Sequence, residues 1–444
     1  MPGLTEKVRE AGVIGAGGAG FPTDVKIAGK VKTLIINGAE CELLLTVDSC
    51  LLLNEQIKLL QGLNALVDHL TPENSYLCIK AKNRSQINQW SSLLAKSAVE
   101  VFPLDDFYPA GDEHVLVYEV TGQVIPSGGI PLEVSTVVVN VETLLNIGMA
   151  AEGYPVTTKY ATIAGAVKNP GTYHFPVGSG YRDLIQLAGG TTLSESDLVF
   201  IDGGPMMGRI ISNLNDTSTK ATKGLLALPK SSNFIKKLNY PWPVILKQSR
   251  NNCEVCRMCT DLCPRYLMGH PLEPHKIMVS NIFARKSRPQ LLKEAHLCVE
   301  CGVCQNFSCP VDLAPMTVIQ HMKELLHEEN KTYVKGSGQS RVRIMRGWRK
   351  LPYQRLLQRL DLVKYAINED LFYRVDDNRI STVNHLLQPP FGAKGKAVVK
   401  EGDVVKKGDL VIDRPEGKLG SKTHAAISGT VVVLTEHNLV IRRV

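Results

Sequence analysis

Eight of the chain's eleven cysteines lie between Cys253 and Cys309, in two runs of nearly identical spacing. The first run is Cys253-x2-Cys256-x2-Cys259-x3-Cys263-Pro264, and the second is Cys298-x2-Cys301-x2-Cys304-x4-Cys309-Pro310. Three thiolates spaced by two residues wrap one corner of a cubane, so that each reaches a separate iron. The fourth cysteine, followed by proline, points towards the other cluster in two-cluster ferredoxins. The expected sets are therefore Cys253, Cys256 and Cys259 with Cys309, and Cys298, Cys301 and Cys304 with Cys263. Structural zinc is the competing reading, because four-cysteine zinc sites also use CxxC pairs. Zinc gains nothing from a third cysteine at the same spacing, and two complete copies ending in Cys-Pro favour two [4Fe–4S] clusters. The second copy carries one extra residue within Gln305–Ser308. Cys41, Cys50 and Cys78 fit no ligand spacing, and Cys50 and Cys78 read as small packed residues. His270, His275 and His296 lie near the motifs in sequence and are assigned packing or surface roles.

A second chemical signal stands near the start, in Gly15-Ala16-Gly17-Gly18-Ala19-Gly20-Phe21-Pro22-Thr23. Glycines let backbone N–H groups approach a phosphate closely. A glycine hinge would look the same, so the context matters. Lys26 follows within reach of a phosphate or a ring carbonyl. The apolar run Leu34–Gly38 then delivers Asn37-Gly38-Ala39-Glu40-Cys41-Glu42. Tyr108–Glu113 and Val139–Leu144 repeat the pattern of polar residues set after apolar ones. Ligands of open α/β sheets bind at such carboxyl ends of strands.

Elements must hold these residues. Leu34–Gly38, Tyr76–Ala81 and Val115–Val120 read as strands, and 49–70 and 84–99 carry helical apolar spacing. That alternation predicts a parallel sheet covered on both faces. Around Tyr160–Ser212 the pattern becomes hairpin, short helix and strand, as in a small α+β module. From Gln388 onward, β-branched runs separated by EGD, KGD and SG turns predict a small all-β unit. Lys331–Tyr365 holds ten Lys or Arg against the single acid Asp361, and reads as a solvated helix or linker face. The net charge of +8 resides in that stretch. No nucleic-acid motif accompanies it. At 21% charged and 44% hydrophobic residues the chain is globular rather than disordered. No apolar run is long enough for a transmembrane helix. The opening MPGLTEKVRE is too charged for a signal peptide, so a cytoplasmic chain with reduced thiols is expected.

GAGGAGFPT, INGAECE, YPAGDE and NVETLLNI together resemble the flavin-binding fold shared by the NADH-oxidising subunit of respiratory complex I and the C subunit of the Rnf complex. Two cluster motifs behind that fold are nearer the Rnf protein. The whole order, ending in a β unit, most resembles the cobalamin reductases of bacterial propanediol-utilisation microcompartments. The resemblance implies FMN contacts at Gly15, Gly17, Lys26, Asn37, Glu40, Tyr108, Gly111, Asp112, Asn140 and Thr143. It gives Phe21 and Glu42 to NADH. Ala39, Leu43 and Asp112 depart from the residues usual in the relatives (Asp, Pro and Glu). The implied architecture is multidomain α/β. It comprises a Rossmann-like FMN/NADH-binding domain (1–155), a β-grasp module (156–225) and a two-cluster ferredoxin-like helical domain (226–325). A basic segment (326–387) and an all-β barrel-sandwich (388–444) complete it.

The implied activity is electron transfer from NADH through FMN and two [4Fe–4S] clusters to cobalamin. Its implied partners are a cobalamin adenosyltransferase and microcompartment shell proteins, with no nucleic acid. Two alternatives stay open: an Rnf-like electron-transfer subunit, and a relay or docking module that never oxidises NADH. Hydride carries two electrons and clusters take one, a mismatch that a flavin resolves. The transfer needs no general acid or base, so no catalytic triad is expected.

Overall fold

The structure, a computed structural model, describes residues 2–283, 292–335 and 341–443. Its first layer is a parallel sheet of β1 (Thr33–Gly38), β2 (Asn74–Lys80), β3 (Val99–Leu104) and, beyond the two-residue β4 (Phe107–Tyr108), β5 (Thr136–Asn140). The spatial order is β3-β2-β1-β5, with Leu34 beside Ser75 and Val137. Helices cover both faces, which is why Leu34, Ile35 and Ile36 are all inaccessible to solvent. The helices Gln56–Leu70 and Val141–Ala151 meet on one face through glycine. A Cβ on Gly62 would stand 2.2 Å from the Leu144 carbonyl oxygen, so only a bare backbone allows this approach. Because the chain goes one way from β1 to β2 and the other way to β5, a crevice opens between the ends of β1 and β5.

Three local expectations are corrected. Val115–Val120 belongs to the helix Glu113–Thr121 and is no strand. The Asp112 carboxylate accepts from the N–H groups of His114 and Val115, and Gly122 ends the helix at φ +71°. A short unbroken apolar run fits either state, and this cap decided it. The 49–70 pattern splits at Glu55 into helices Val47–Asn54 and Gln56–Leu70, and the 84–99 helix stops at Leu93 before β3.

The second layer is a mixed sheet of β6 (Thr158–Gly165), β7 (Gly171–Pro176), β8 (Leu198–Asp202), β9 (Arg209–Ile211) and β10 (Gly224–Pro229). The helix Tyr181–Leu187 ends at the paired Gly189 and Gly190, both at positive φ. The cysteine region consists of short helices, Met258–Asp261 and Pro264–Leu267 among them, and the longer Pro315–Glu328.

Most cations of the basic stretch face solvent, as expected, but its leucines anchor it to the rest of the chain. Leu351, in β11 (Leu351–Pro352), pairs with Tyr108, and Leu356, Leu357, Leu360 and Leu362 enter one core with Leu43, Leu44 and Leu45. Arg346 pairs with Glu119 at 2.6 Å, and Lys350 reaches Asp105 and Glu119. The acids that hold Arg346 and Lys350 come from the first domain, where local sequence could not reveal them. Residues 336–340 of the stretch lie outside the described residues. Further on, β12 (Phe372–Arg374) joins β7, and the chain ends in seven short strands around Val383, Val411, Ile427, Val431, Leu439 and Ile441. The first of these, β13 (Thr382–Leu386), lies ahead of residue 388 and pairs with β19 (Asn438–Arg442). Among the described residues no helix is long and apolar enough to cross a membrane.

Candidate cofactor cleft and cysteine sites

The crevice at the ends of β1 and β5 is a cleft of about 810 Å³. Gly15, Gly17, Gly18 and Phe21 line it from the glycine loop, Asn37, Glu40 and Asn140 from the strand ends, and Thr143 from the helix after β5. The glycine loop is held by its Ala16 peptide. Thr143 Oγ1 accepts from the Ala16 N–H at 2.9 Å, and Lys159 Nζ donates to the Ala16 carbonyl at 3.2 Å. Lys159 is itself paired with Glu142 in the interior, each about 1% exposed. Gly18 sits at φ +112° with open space where a Cβ would project, so the loop offers unobstructed backbone to the cleft. Thr23 also lines the cleft, and its buried hydroxyl has no partner among the described residues. An unspent donor beside bare glycine backbone fits a phosphate-bearing ligand.

The remaining predicted residues are distributed around this cleft. Lys26 lines it and pairs with Glu113 at 2.6 Å. Asn37 Nδ2 donates to the Gly111 carbonyl at 3.0 Å, fixing two predicted positions against each other. A Cβ on Gly111 would stand 3.0 Å from Cys41 Sγ. Glu40 accepts from the Asp48 N–H at 2.6 Å. Burial, then the Asp48 charge, raises its carboxyl to about 7. Glu42 accepts from the Met206 N–H at 2.6 Å, and burial raises it also to about 7. Its Cγ would lie 1.9 Å from a Cβ on Gly204, so the Gly203–Gly208 loop must be bare there to close on Glu42. Phe21 meets Phe391 from the C-terminal unit with ring centres 5.4 Å apart. Asp112 caps its helix with one oxygen and holds Arg265 at 2.9 Å with the other. Tyr108 is not part of the cleft lining. Its buried hydroxyl donates to the Cys301 carbonyl at 2.8 Å, tying the first domain to the second cysteine motif.

Sequence reasoning missed Asp48 and Lys223. Lys223 Nζ stands 2.6 Å from Asp48 and 3.3 Å from Glu40, and Asn140 Nδ2 donates to Asp48 at 2.8 Å. Burial opposes the Lys223 charge, but the two carboxylates outweigh it and hold its pKa above the usual lysine range. Lys223 is supplied by the segment before β10, which carries no motif, so only the folded chain reveals it.

The two cysteine motifs share a backbone signature. Val255 and Glu300, each two residues after the first cysteine of its motif, have φ of +52° and +57°. Arg257 and Gly302, each following the second cysteine, have +67° and +74°. Non-glycine residues adopt such angles only where the surroundings dictate them. The same two turns in both motifs bend each loop around a common centre. The N–H of Glu300 donates to Cys298 Sγ, and that of Leu313 to Cys309 Sγ, both at 3.3 Å. Cys263 lines one small cavity with Cys298, Cys301 and Cys304. Burial, followed by Cys309 and Cys253, pushes the Cys259 thiol up to about 12, and burial does the same for Cys263. Thiols crowded in this way become thiolates only when a cation balances them, which suits a metal-bearing donor set. Among the described residues no three His, Cys, Asp or Glu converge on a single ion. A cubane spreads its thiolates over separate irons and needs no such point.

Cys50 and Cys78 are buried, as read, with thiols raised by burial. The three histidines have packing partners: His270 with the Ile125 carbonyl, His275 with Thr260, and His296 with the Lys331 carbonyl.

Residues 8–149 match the Nuo51 FMN-binding domain family, 160–210 the SLBB domain family, and 252–314 the 4Fe-4S dicluster domain family. The chain is thus a multidomain α/β protein with an FMN-binding domain, an SLBB domain and an iron–sulfur domain. It is 34% identical over 266 residues to the C subunit of the proton-translocating ferredoxin:NAD(+) oxidoreductase complex of Clostridium ljungdahlii, covering 59% of this chain and 55% of that one. The fold is similar to that of an NAD+-reducing [NiFe]-hydrogenase in the H2-reduced state, with a TM-score of 0.50 at 18% identity over 74% of this chain and 62% of that one. Cobalamin reductase PduS of Salmonella typhimurium and that of Citrobacter freundii are each 37% identical to it over 441 residues, 99% of this chain and 96% of theirs. A match of that depth along the full order of domains makes the chain a member of the cobalamin reductase PduS family of oxidoreductases.

Proposed function

We propose that the chain is an NADH-dependent reductase that passes electrons through FMN and two [4Fe–4S] clusters to cobalamin. Cob(III)alamin or cob(II)alamin is reduced for adenosylcobalamin regeneration in propanediol utilisation. One observation carries the reading: Val299 and Cys301 of the second cysteine motif line the same cleft as Gly15, Gly17 and Asn140. When bound, FMN would supply the exchange between the two electrons of a hydride and the single electrons that [4Fe–4S] centres carry.

The chain's own residues have defined tasks in this scheme. Gly15, Gly17, Gly18 and the Thr23 hydroxyl receive the phosphate, supported by the twice-anchored Ala16 peptide. Lys26, Asn37, Glu40, Gly111, Asp112, Asn140 and Thr143 bound the rest of the flavin site, while Phe21 and Glu42 serve NADH. Lys223 ties Glu40 and Asp48 together in the cleft lining. Tyr108 keeps the Cys301 carbonyl against the first domain, holding the second motif in register with the cleft. Cys298, Cys301, Cys304 and Cys263 would hold a cluster beside the cleft. Cys253, Cys256, Cys259 and Cys309 would hold the outer one, whose Cys256 is exposed.

In this reading a Rossmann-like domain spans 1–155, a β-grasp module 156–225, a ferredoxin-like domain 226–325, a basic strap 326–387 and a barrel-sandwich 388–444. Cobalamin comes from the names of the relatives. A cobalamin adenosyltransferase would take the product, and shell proteins would retain the enzyme in a microcompartment. The test is anaerobic NADH oxidation by iron- and flavin-loaded protein with cobalamin, a quinone and a viologen offered side by side. NADH-dependent cobalamin reduction supports the reading. Quinone reduction without cobalamin reduction, or no NADH oxidation with any acceptor, overturns it.

A further inference from the structure

One surface next to the outer cysteine motif has no role in the scheme above. The single-turn helix Ile344–Trp348 leaves Ile344 96% and Trp348 85% exposed, with Met345 exposed between them. Large apolar side chains so completely in water mark an interaction site when they cluster. The turn is fastened to the cysteine region at both ends, and at its start the Arg343 N–H donates to the Leu267 carbonyl at 2.9 Å. Arg349 donates to the Asp261 carbonyl at 3.0 Å and stands 3.4 Å from its carboxylate, which Arg257 also approaches at 3.8 Å. In the cysteine loop Val255, Cys256 and Met258 are exposed as well. By contrast Cys263, Cys301 and Cys304 of the inner set are buried. Electrons reaching the outer site therefore stand next to an apolar surface open to solvent.

The charge of this surface selects its partner. Arg257, Arg341, Arg343 and Arg349 surround the apolar residues, and Arg341 and Arg343 are paired with no carboxylate among the described residues. Asp261 is already shared between two arginines, and Glu119 is taken up by Arg346 within the turn and by Lys350 beside it. A single turn buries too little apolar area to hold a membrane surface, which takes a longer amphipathic helix. An apolar centre ringed by arginine, placed over an exposed redox site, has the make-up of a protein docking patch.

We propose that the Ile344–Trp348 turn and the Cys256 loop form the docking surface for an acidic protein that accepts one electron at a time. The step is a simple transfer: the outer cluster loses one electron and the partner's redox centre gains it. It rests on the cluster reading of Cys253, Cys256 and Cys259, but not on NADH or cobalamin as substrates.

The test uses the full iron-loaded protein, reduced with dithionite and freed of excess reductant under argon. Stopped-flow absorbance follows electron transfer to ferric cytochrome b5, an acidic haem protein, to ferric cytochrome c, a basic one, and to methyl viologen. The variants are Trp348→Ser with Ile344→Ser, and Arg341→Glu. All three side chains are exposed, so the fold is retained, and circular dichroism and iron content verify this. The wild type should reduce cytochrome b5 faster at low salt than at high salt. Each variant should slow that reaction by about tenfold, and Arg341→Glu should also weaken its salt dependence. Viologen reduction should stay unchanged, and reduction of cytochrome c should rise or hold. Equal loss with viologen, or unchanged cytochrome b5 rates in both variants, overturns the proposal. So does wild-type binding to phosphatidylglycerol vesicles that the serine variant abolishes, because the surface would then serve a membrane. A protein that reduces viologen but never oxidises NADH would overturn the proposed function and leave this surface standing.

Discussion

A single substitution can break the buried Lys159–Glu142 pair that anchors the glycine loop of the cleft. Lys159 Nζ bonds both Glu142 and the Ala16 carbonyl, and Glu142 also accepts from the Tyr160 N–H at 3.1 Å. Burial pushes Glu142 up and Lys159 down, and their mutual attraction works against both shifts. Lys159→Met keeps the volume but leaves a carboxylate in the interior without its cation. Removing one partner of such a pair costs about 3–5 kcal/mol. For a cooperative unit of 150–250 residues that lowers the first melting transition by about 6–20 °C. The Ala16 carbonyl loses its anchor at the same time, so FMN should dissociate more readily. Lys159→Met with Glu142→Leu removes both charges and should recover most of the melting temperature, but not the FMN affinity. Differential scanning fluorimetry and flavin fluorescence on the three proteins read both effects. An unchanged melting temperature in Lys159→Met, or no recovery in the double variant, would refute the reasoning.

Three further outcomes follow from other parts of the molecule. Gly17→Glu should exclude FMN and leave iron in place, because a Cβ there already stands 3.3 Å from Asn140 and the added carboxylate repels a phosphate; retained yellow colour would count against the loop assignment. Iron analysis of the wild type should give about eight irons per chain, and Cys309→Ala should lose the signal of the Cys253, Cys256 and Cys259 cluster. Loss of the other cluster in its electron paramagnetic resonance spectrum would reverse the crossed ligation. Lys220 is buried and donates to the carbonyls of Gly12 and Lys422 with no carboxylate beside it among the described residues, and burial lowers its pKa from 10.5 to about 7. Between those values the unfolded chain binds the proton and the folded chain does not, so stability rises with pH from 7 towards 10.5. Chemical denaturation of wild type against Lys220→Met should show that rise in the wild type alone; parallel curves would remove Lys220 as its source.

The cysteine spacing, the glycine loop and the polar residues after each apolar run were legible in the chain as written, because each is a local pattern with one chemical use. The parallel sheet was legible too, since a strand covered on both faces must be apolar throughout, as Leu34–Ile36 are. Val115–Val120 was not, because an unbroken apolar run has no period and a single carboxylate cap at Asp112 settles it. The anchoring of the basic stretch was not legible, because Glu119 and Asp105, which pair with Arg346 and Lys350, lie more than two hundred residues away. Lys223 and Asp48 carry no motif and meet only when the second sheet closes over the first. Sequence by itself therefore determined which chemistry the chain can carry, because ligand type and spacing are properties of short segments. Only the tertiary structure decided which cysteine motif faces the cleft and which faces solvent, because that depends on packing between segments that share no local signal.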